Sequence, residues 1–194
     1  MQQIYKNLRV RNATPEDALL LSAWWNDGSI MEHAGFHNGT GETPDMIANR
    51  IRKDSDMTYR RLIIEEEAPE HVLRKGDQEK LNARFQYIPI GEMSFRNVGH
   101  RIAEIGIKIC NVSRQNKGYG HIVLSMLIVE LFQRLHFTSI ILDTNVTNER
   151  AHHVYEALGF ERVGVQERAF RDSRGNWRTS VHYKLTPENF RSFL

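Results

Sequence analysis

The run Arg114-Gln115-Asn116-Lys117-Gly118-Tyr119-Gly120 is a Gln-x-x-Gly-x-Gly turn between a strand-like segment and a helix-like one. Glycine adopts backbone conformations that other residues avoid, and it lets a ligand come close to the main chain. Consecutive N–H groups on such a turn, followed by a helix N-terminus, suit a pyrophosphate. The chemistry expected is therefore the holding of a nucleotide-like cofactor by its phosphates, with Gln115 through Gly120 as the binding residues. The charge pattern agrees. No Asp or Glu lies between Glu104 and Glu130, although 24 of 194 residues are acidic, and Lys108, Arg114 and Lys117 fall inside that gap. A carboxylate close to a phosphate is costly. The turn lacks the Gly-Lys-Ser/Thr ending of a nucleotide-phosphate hydrolase. It also lacks the third glycine and the acid about 20 residues on that a dinucleotide oxidoreductase uses.

The elements that must position this turn follow from periodicity. Ala103 to Cys110 alternates as a strand, with Ala103, Ile105, Ile107 and Ile109 on one face and Glu104, Gly106, Lys108 and Cys110 on the other. Ile88 to Phe95 precedes it as an antiparallel partner, and Asn97-Val98-Gly99-His100 turns between them. After the glycines, His121 to His136 repeats leucine at helical spacing and is apolar nearly all round, so it is expected to be well buried. Ser139 to Asp143 is a short apolar strand, read as parallel to the one before the helix. Asn148 caps a further helix through Leu158, which Gly159 ends. Val163 to Phe170 and Thr179 to Leu185 read as a closing hairpin.

Upstream, Leu8 to Arg11 reads as a strand, and Thr14-Pro15-Glu16-Asp17 opens a helix that ends at Asn26-Asp27-Gly28. Pro44 to Arg52 reads as a second helix with Met46, Ile47 and Ile51 as its stripe, and Arg61 to Glu65 as a strand. Met1 to Val10 carries Lys6 and Arg9 inside a polar segment. Glu66 to Arg84 reads as a loop or extended hairpin. The expected fold is one α/β (α+β) domain over residues 1–194, a mixed, mostly antiparallel sheet with a strand–turn–helix–strand unit at its centre.

Apolar residues are 40% of the chain and charged ones 26%, a soluble globular profile. A net charge of +2 does not indicate a nucleic-acid partner. The one cysteine, Cys110, excludes an internal disulfide and points to a reducing compartment. No apolar stretch reaches signal-peptide or membrane-spanning length. The expectation is a cytoplasmic protein with no membrane partner. No spacing of His, Cys or Glu suggests a metal site.

Three signals together resemble the GNAT superfamily of acetyl-CoA-dependent N-acetyltransferases. They are Ile107-Lys108-Ile109-Cys110 leading into Gln115-x-x-Gly118-x-Gly120, the buried helix with Ile140-Ile141-Leu142 after it, and Asn148-Glu149-Arg150-Ala151-x-x-x-Tyr155-Glu156-x-x-Gly159-Phe160. The beginning, with Trp24-Trp25-Asn26-Asp27, is similar to the branch that holds ribosomal-protein alanine and spermidine acetyltransferases. The resemblance implies acetyl transfer from acetyl-CoA to a primary amine, a protein N-terminus or a small amine, by direct attack. It implies that Tyr155 stands beside the thioester sulfur as the acid, and that Ile109 and Cys110 offer backbone groups to the acetyl and pantetheine region. Asn148 bonds the pantetheine arm, caps its helix, or does both.

Glu104 is the first candidate for the base and Glu92 the second. Glu104 lies on the order of 20 Å from Cys110 on a straight strand. A lone strand cysteine is more often a small buried hydrophobe than an acyl acceptor. The basic stretch Arg168 to Arg178 reads as a solvated hairpin tip. A homodimer is compatible with this reading. A non-catalytic acyl-CoA-binding module would share the cofactor residues, and Tyr155 separates the two.

Overall fold

Alternating and continuous apolar runs build one sheet. In the computed structural model, which describes residues 1–68 and 87–194, the strands are β1 (Gln2–Tyr5), β2 (Leu8–Asn12), β3 (Tyr59–Glu67), β4 (Tyr87–Asn97), β5 (Ile102–Ile109), β6 (Ser139–Asn145), β7 (Glu161–Arg171) and β8 (Trp177–Leu185). They pair in the order β1-β2-β3-β4-β5-β6-β8-β7. Every neighbouring pair is antiparallel except β5–β6.

The helices are α1 (Ala18–Trp25), α2 (Gly28–Met31), α3 (Pro44–Ile51), α4 (Tyr119–Val129) and α5 (Glu149–Ala157). The sheet is covered on both faces. Leu62 and Ile64 of β3 join the large cluster built with Leu124, Leu127 and Leu131 around α4, while Ile63 joins Leu21, Ile47 and Ile51 of α1 and α3. This is the period-two division of a strand buried on both sides. Each such aliphatic side chain contributes about 1.5–3 kcal/mol. Val123 through Ile128 are all buried, as the all-round apolar pattern of α4 requires.

The pairing that matters for the site is the short one. β5 and β6 are in register only at Ile102–Ser139, Ala103–Ile140 and Glu104–Ile141, although β5 runs on to Ile109 and β6 to Asn145. Beyond Glu104 the strands part, and their facing edges open a cleft in the middle of the sheet.

Several boundaries differ from expectation. The polar N-terminus contains β1, because Gln2 to Tyr5 pairs with Leu8 to Arg11 across a two-residue turn. The first helix begins with a 3-10 turn at Pro15–Asp17. Met46 is 47% exposed and does not share the buried stripe of Ile47 and Ile51. The helix after the glycines starts at Tyr119, so Gly120 lies inside it; it passes into a π-helical turn at Glu130–Arg134, and His136 stands beyond it at φ +56°. Glu66 and Glu67 end β3, and the rest of the expected loop, from 69 to Arg84, lies outside the described residues. Gly159 ends α5 at φ +94°, packed so closely that an added Cβ would lie 1.9 Å from the Asn189 carbonyl oxygen.

Candidate active site

The cleft between β5 and β6 divides into two cavities. One, of about 540 Å³, is lined by the turn residues Gln115, Asn116, Gly118, Tyr119 and Gly120, by Ile107 to Ile109, by Asn148 at the cap of α5, and by Arg150, Ala151, His153, Val154 and Tyr155 on that helix. The other, of about 870 Å³, lies between β4, β5 and β6, the α1–α3 region and the β7–β8 tip. His33, Ile107, Lys108, Asn148 and Tyr155 line both. These five residues stand where two reactants would meet.

The turn is shaped to hold an anion. Asn116 (φ +59°) and Gly118 (φ +75°) are left-handed, and Gly118 is the N-cap of α4. Among the described residues, the N–H groups of Asn116 through Gly120 make no hydrogen bond, while their neighbours Gln115 and His121 are paired to Val112 and Gly118. A Cβ added to Gly118 would meet nothing within 4 Å. Free amides on an unobstructed turn at the start of an eleven-residue helix fit a diphosphate. They fit the diphosphate of acetyl-CoA on the chemistry of the donors alone. Lys117 is the one turn residue whose side chain does not line the cavity.

Gln115 takes a different part. Its Nε2 donates to the Ile109 carbonyl (2.9 Å) and its Oε1 accepts from Arg150 (2.6 Å), so the side chain braces β5 against α5 instead of reaching a ligand. The stretch without acids is also not free of acids in space. Glu66 arrives from β3 to accept from Arg114 and from the Tyr119 hydroxyl, and Glu92 lies 3.7 Å from Lys108.

Tyr155 is 7% exposed and lines both cavities, and its hydroxyl makes no hydrogen bond among the described residues. Burial pushes that hydroxyl far above the usual phenol range, and the nearby Asp143 charge adds to the effect. It therefore holds its proton at neutral pH. Asn148 does two things at once: its Oδ1 caps α5 at the Ala151 N–H (3.3 Å) and its Nδ2 donates to Thr144 (3.2 Å). The adjacent histidines divide as a helix requires. His152 is buried against the Tyr183 hydroxyl (2.7 Å), and His153 lines the smaller cavity beside His121. Burial, with His153 next to it, pushes the His121 imidazole down.

Two expected site residues are not brought to the cleft. Cys110 lies just past the end of β5, where its N–H donates back to Ile90 (2.9 Å) and its thiol is buried. Burial, with the Glu92 charge adding to it, pushes the thiol up, which makes it a poor nucleophile. Of the pair Ile109–Cys110, only Ile109 lines a cavity. Glu104 is ion-paired to Arg96, opposite it in the β4–β5 register, and lines neither cavity. The other carboxylate, Glu92, is in the larger cavity, where it accepts from Trp25 Nε1 at 2.7 Å. Burial pushes its carboxyl up, and Lys108 and the Trp25 N–H offset part of that.

The tip of the last hairpin is exposed from Ser173 to Trp177, as expected, but it is anchored at Asp172. Asp172, 5% exposed, accepts from the N–H groups of Arg174 and Asn176 and from the Arg178 guanidinium, and it lies 3.4 Å from His37. Ser173 N–H donates to the Gly35 carbonyl (2.7 Å). Burial alone would push the Asp172 carboxyl up, but the Asn176 N–H and the Arg178 guanidinium hold it well below the usual carboxylate range. The tip thus becomes a wall of the larger cavity. Among the described residues no group of His, Cys, Asp or Glu could hold a metal ion, and no helix is long and apolar enough to cross a membrane.

Residues 7–161 match the family model described as acetyltransferase (GNAT) domain. No curated protein matches the sequence. Among solved structures, spermidine N-acetyltransferase from Vibrio cholerae in complex with CoA and spermine superposes with a TM-score of 0.76 at 22% identity, covering 94% of this chain and 97% of that one. Ribosomal-protein-S5-alanine acetyltransferase from Vibrio fischeri gives 0.74 at 15% identity, covering 98% and 99%. Both likenesses are of fold.

Proposed function

The chain belongs to the GNAT acetyltransferase family and is an acetyl-CoA-dependent N-acetyltransferase, and on that premise we propose that one domain moves the acetyl group to a primary amine by direct attack. The observation that carries this reading is Tyr155 in the shared wall of the two cavities. The smaller cavity takes the coenzyme, with the free amides of Asn116 to Gly120 on its diphosphate, and the larger takes the amine.

Acetyl-CoA supplies an acetyl group activated as a thioester. The residues of the chain supply the rest. A free alkyl amine has a pKa near ~10 and must lose a proton to attack. Glu92 is the base: it lies in the amine cavity, and its raised carboxyl pKa brings it nearer to neutral pH, where a base works best. As the C–N bond forms and the C–S bond breaks, the Tyr155 hydroxyl gives its proton to the departing sulfur. Asn148 holds the start of α5, and with it Tyr155, at the junction. Cys110 is buried outside both cavities, which favours direct attack over an acyl-enzyme.

Two structural relatives bracket the acceptor, one named for spermidine and the other for an alanine of a ribosomal protein. A small amine or a protein N-terminus is the class proposed here. The test is thiol release from acetyl-CoA across a panel of amines, alongside calorimetric titration of acetyl-CoA. Turnover with an amine class supports the proposal. Coenzyme binding without turnover would make the chain a non-catalytic acyl-CoA-binding module.

A further inference from the structure

The smaller cavity is short of free positive charge and rich in histidine. No Asp or Glu among the described residues lines it. Its lining holds the cations Lys108, Arg114 and Arg150 and the histidines His33, His121 and His153. Two of the cations already face carboxylates, Arg114 on Glu66 and Lys108 at 3.7 Å from Glu92. Arg150 has only the neutral Gln115 Oε1, at 2.6 Å. A coenzyme A thioester brings about two negative charges on its diphosphate and ~1.5–2 on its 3′-phosphate. One free guanidinium and the amides of the turn leave much of that charge unmatched.

His121 and His153 are placed to match it. His121 is in the first turn of α4, directly after Gly120. His153 meets it from α5, with ring centroids 6.2 Å apart and planes nearly perpendicular. The C-terminal segment packs on His121 as well: the Phe193 ring lies 4.7 Å away, and the Phe193 N–H donates to the buried Ser125 hydroxyl (3.0 Å). Neither imidazole makes a side-chain hydrogen bond or an ion pair among the described residues. Glu149 and Arg150 stand one turn before His153 on α5 and Glu156 one turn after it. Glu156 is paired with Arg162 (2.7 Å), and none of the three pairs with the imidazole. Arg191 and the Leu194 carboxylate, on the C-terminal segment, form no ion pair with His121.

Burial and the neighbouring His153 keep the free His121 ring biased towards its neutral form. An anion in the cavity reverses that bias, because a negative charge close by favours the protonated ring. Two rings this close share the added charge, so the pair gains one proton and not two.

We propose that His121 and His153 are a coenzyme-binding pair that takes up one proton as the coenzyme's phosphates enter, so that affinity for acetyl-CoA rises as pH falls through the imidazole range. This rests on the acetyl-transfer reading above, which puts the coenzyme in the smaller cavity, and it adds a control of that site by pH. The sign follows from linkage. A ligand that raises the pKa of a group binds its protonated form more tightly. The gain is complete below the pKa of the free pair and is lost as pH rises through that of the bound pair, about tenfold in affinity for each unit between the two.

The experiment is calorimetric titration of acetyl-CoA at neutral pH in buffers of different ionisation enthalpy, which counts the protons exchanged. The parent is expected to take up about half to one proton, and its Kd to fall about three- to tenfold from pH 8 to pH 6.5. His121→Gln and His153→Gln each reduce the uptake, and the double variant abolishes it. His100→Asn, in the turn between β4 and β5 and outside the cavity lining, keeps it whole. In the wild-type protein the Cε1–H resonances of the two rings should titrate at higher pH with acetyl-CoA than without it, a readout that needs no variant. Dephospho-CoA separates the two anions: undiminished uptake assigns the pair to the diphosphate, and lost uptake assigns it to the 3′-phosphate. No proton uptake with acetyl-CoA, uptake unchanged in the double variant, or ring titrations indifferent to the coenzyme would overturn the proposal. Absence of any binding heat at millimolar acetyl-CoA would overturn the coenzyme reading beneath it as well, and is told apart by that silence.

Discussion

Glu66, the penultimate residue of β3, accepts a hydrogen bond from the hydroxyl of Tyr119, the first residue of α4. Its second oxygen accepts from Arg114 at the other end of the turn, and Asn7 Nδ2 reaches both Glu66 and Tyr119 at 3.4 Å. One carboxylate from a distant strand thus fixes both flanks of the loop that presents the free amides. Pre-organisation of this kind lowers the ordering cost of binding. Glu66→Ala is expected to weaken acetyl-CoA binding by about tenfold while leaving kcat nearly unchanged, read by calorimetric titration against steady-state kinetics.

On the proposed reading Tyr155 acts on the leaving group and not on the coenzyme's phosphates. Tyr155→Phe removes one oxygen from the junction of the cavities and leaves the ring packed against Phe160 and Tyr183. The expected loss is about 10²- to 10⁴-fold in kcat, the usual span for a general acid, with acetyl-CoA affinity within twofold of the parent. An equal loss in both would make Tyr155 a packing residue.

The pH dependence follows from the direction of the Glu92 shift. The carboxyl must be ionised to take the amine proton, so the rate falls as pH drops through its raised pKa. That acidic limb should lie above the ~4.3 of an ordinary glutamate. Glu92→Gln should abolish the limb along with most of the turnover. The same shift has a sign for stability. A carboxyl whose folded pKa is raised contributes stability that is fully present below its unfolded pKa and lost as pH rises through the folded one. Glu92→Gln removes that loss, and the variant should melt no lower than the parent at neutral pH.

Gly159 tests the packing behind α5. Its φ of +94° disfavours a side chain, and an added Cβ would strike the Asn189 carbonyl oxygen at 1.9 Å. Gly159→Ala is expected to cost about 2–4 kcal/mol in denaturant unfolding, and to loosen Tyr155 through the same helix.

The sequence was most legible where a local pattern and the fold agree. β5, the glycine turn, α4, β6 and α5 each carry their own periodicity and caps, and their order implied the parallel crossover. What sequence could not supply was the set of contacts made across distance. Gln115 belongs to the turn motif, yet its amide is spent between Ile109 and Arg150. Glu104 has the strand face that was read for it, but the β4–β5 register puts Arg96 opposite it and Glu92 opposite Lys108. A turn centred near Gly99 fixes those pairs, so the choice between the two glutamates was latent in the hairpin. Cys110 follows the alternation of β5, but the strand ends one residue earlier, and its N–H turns back to Ile90. Asp172 reads as one charge in a basic tip, and only the docking of that tip on Gly35 and His37 makes it a buried anchor.

The proposed grip on the coenzyme is made by main-chain donors, so the most direct measurement follows those donors. In a ¹H–¹⁵N spectrum titrated with acetyl-CoA, the amides of Asn116 through Gly120 should shift in a saturable way with one common dissociation constant, together with that of Tyr155. Saturable binding that leaves those five amides unmoved, or no binding at millimolar coenzyme, would contradict it.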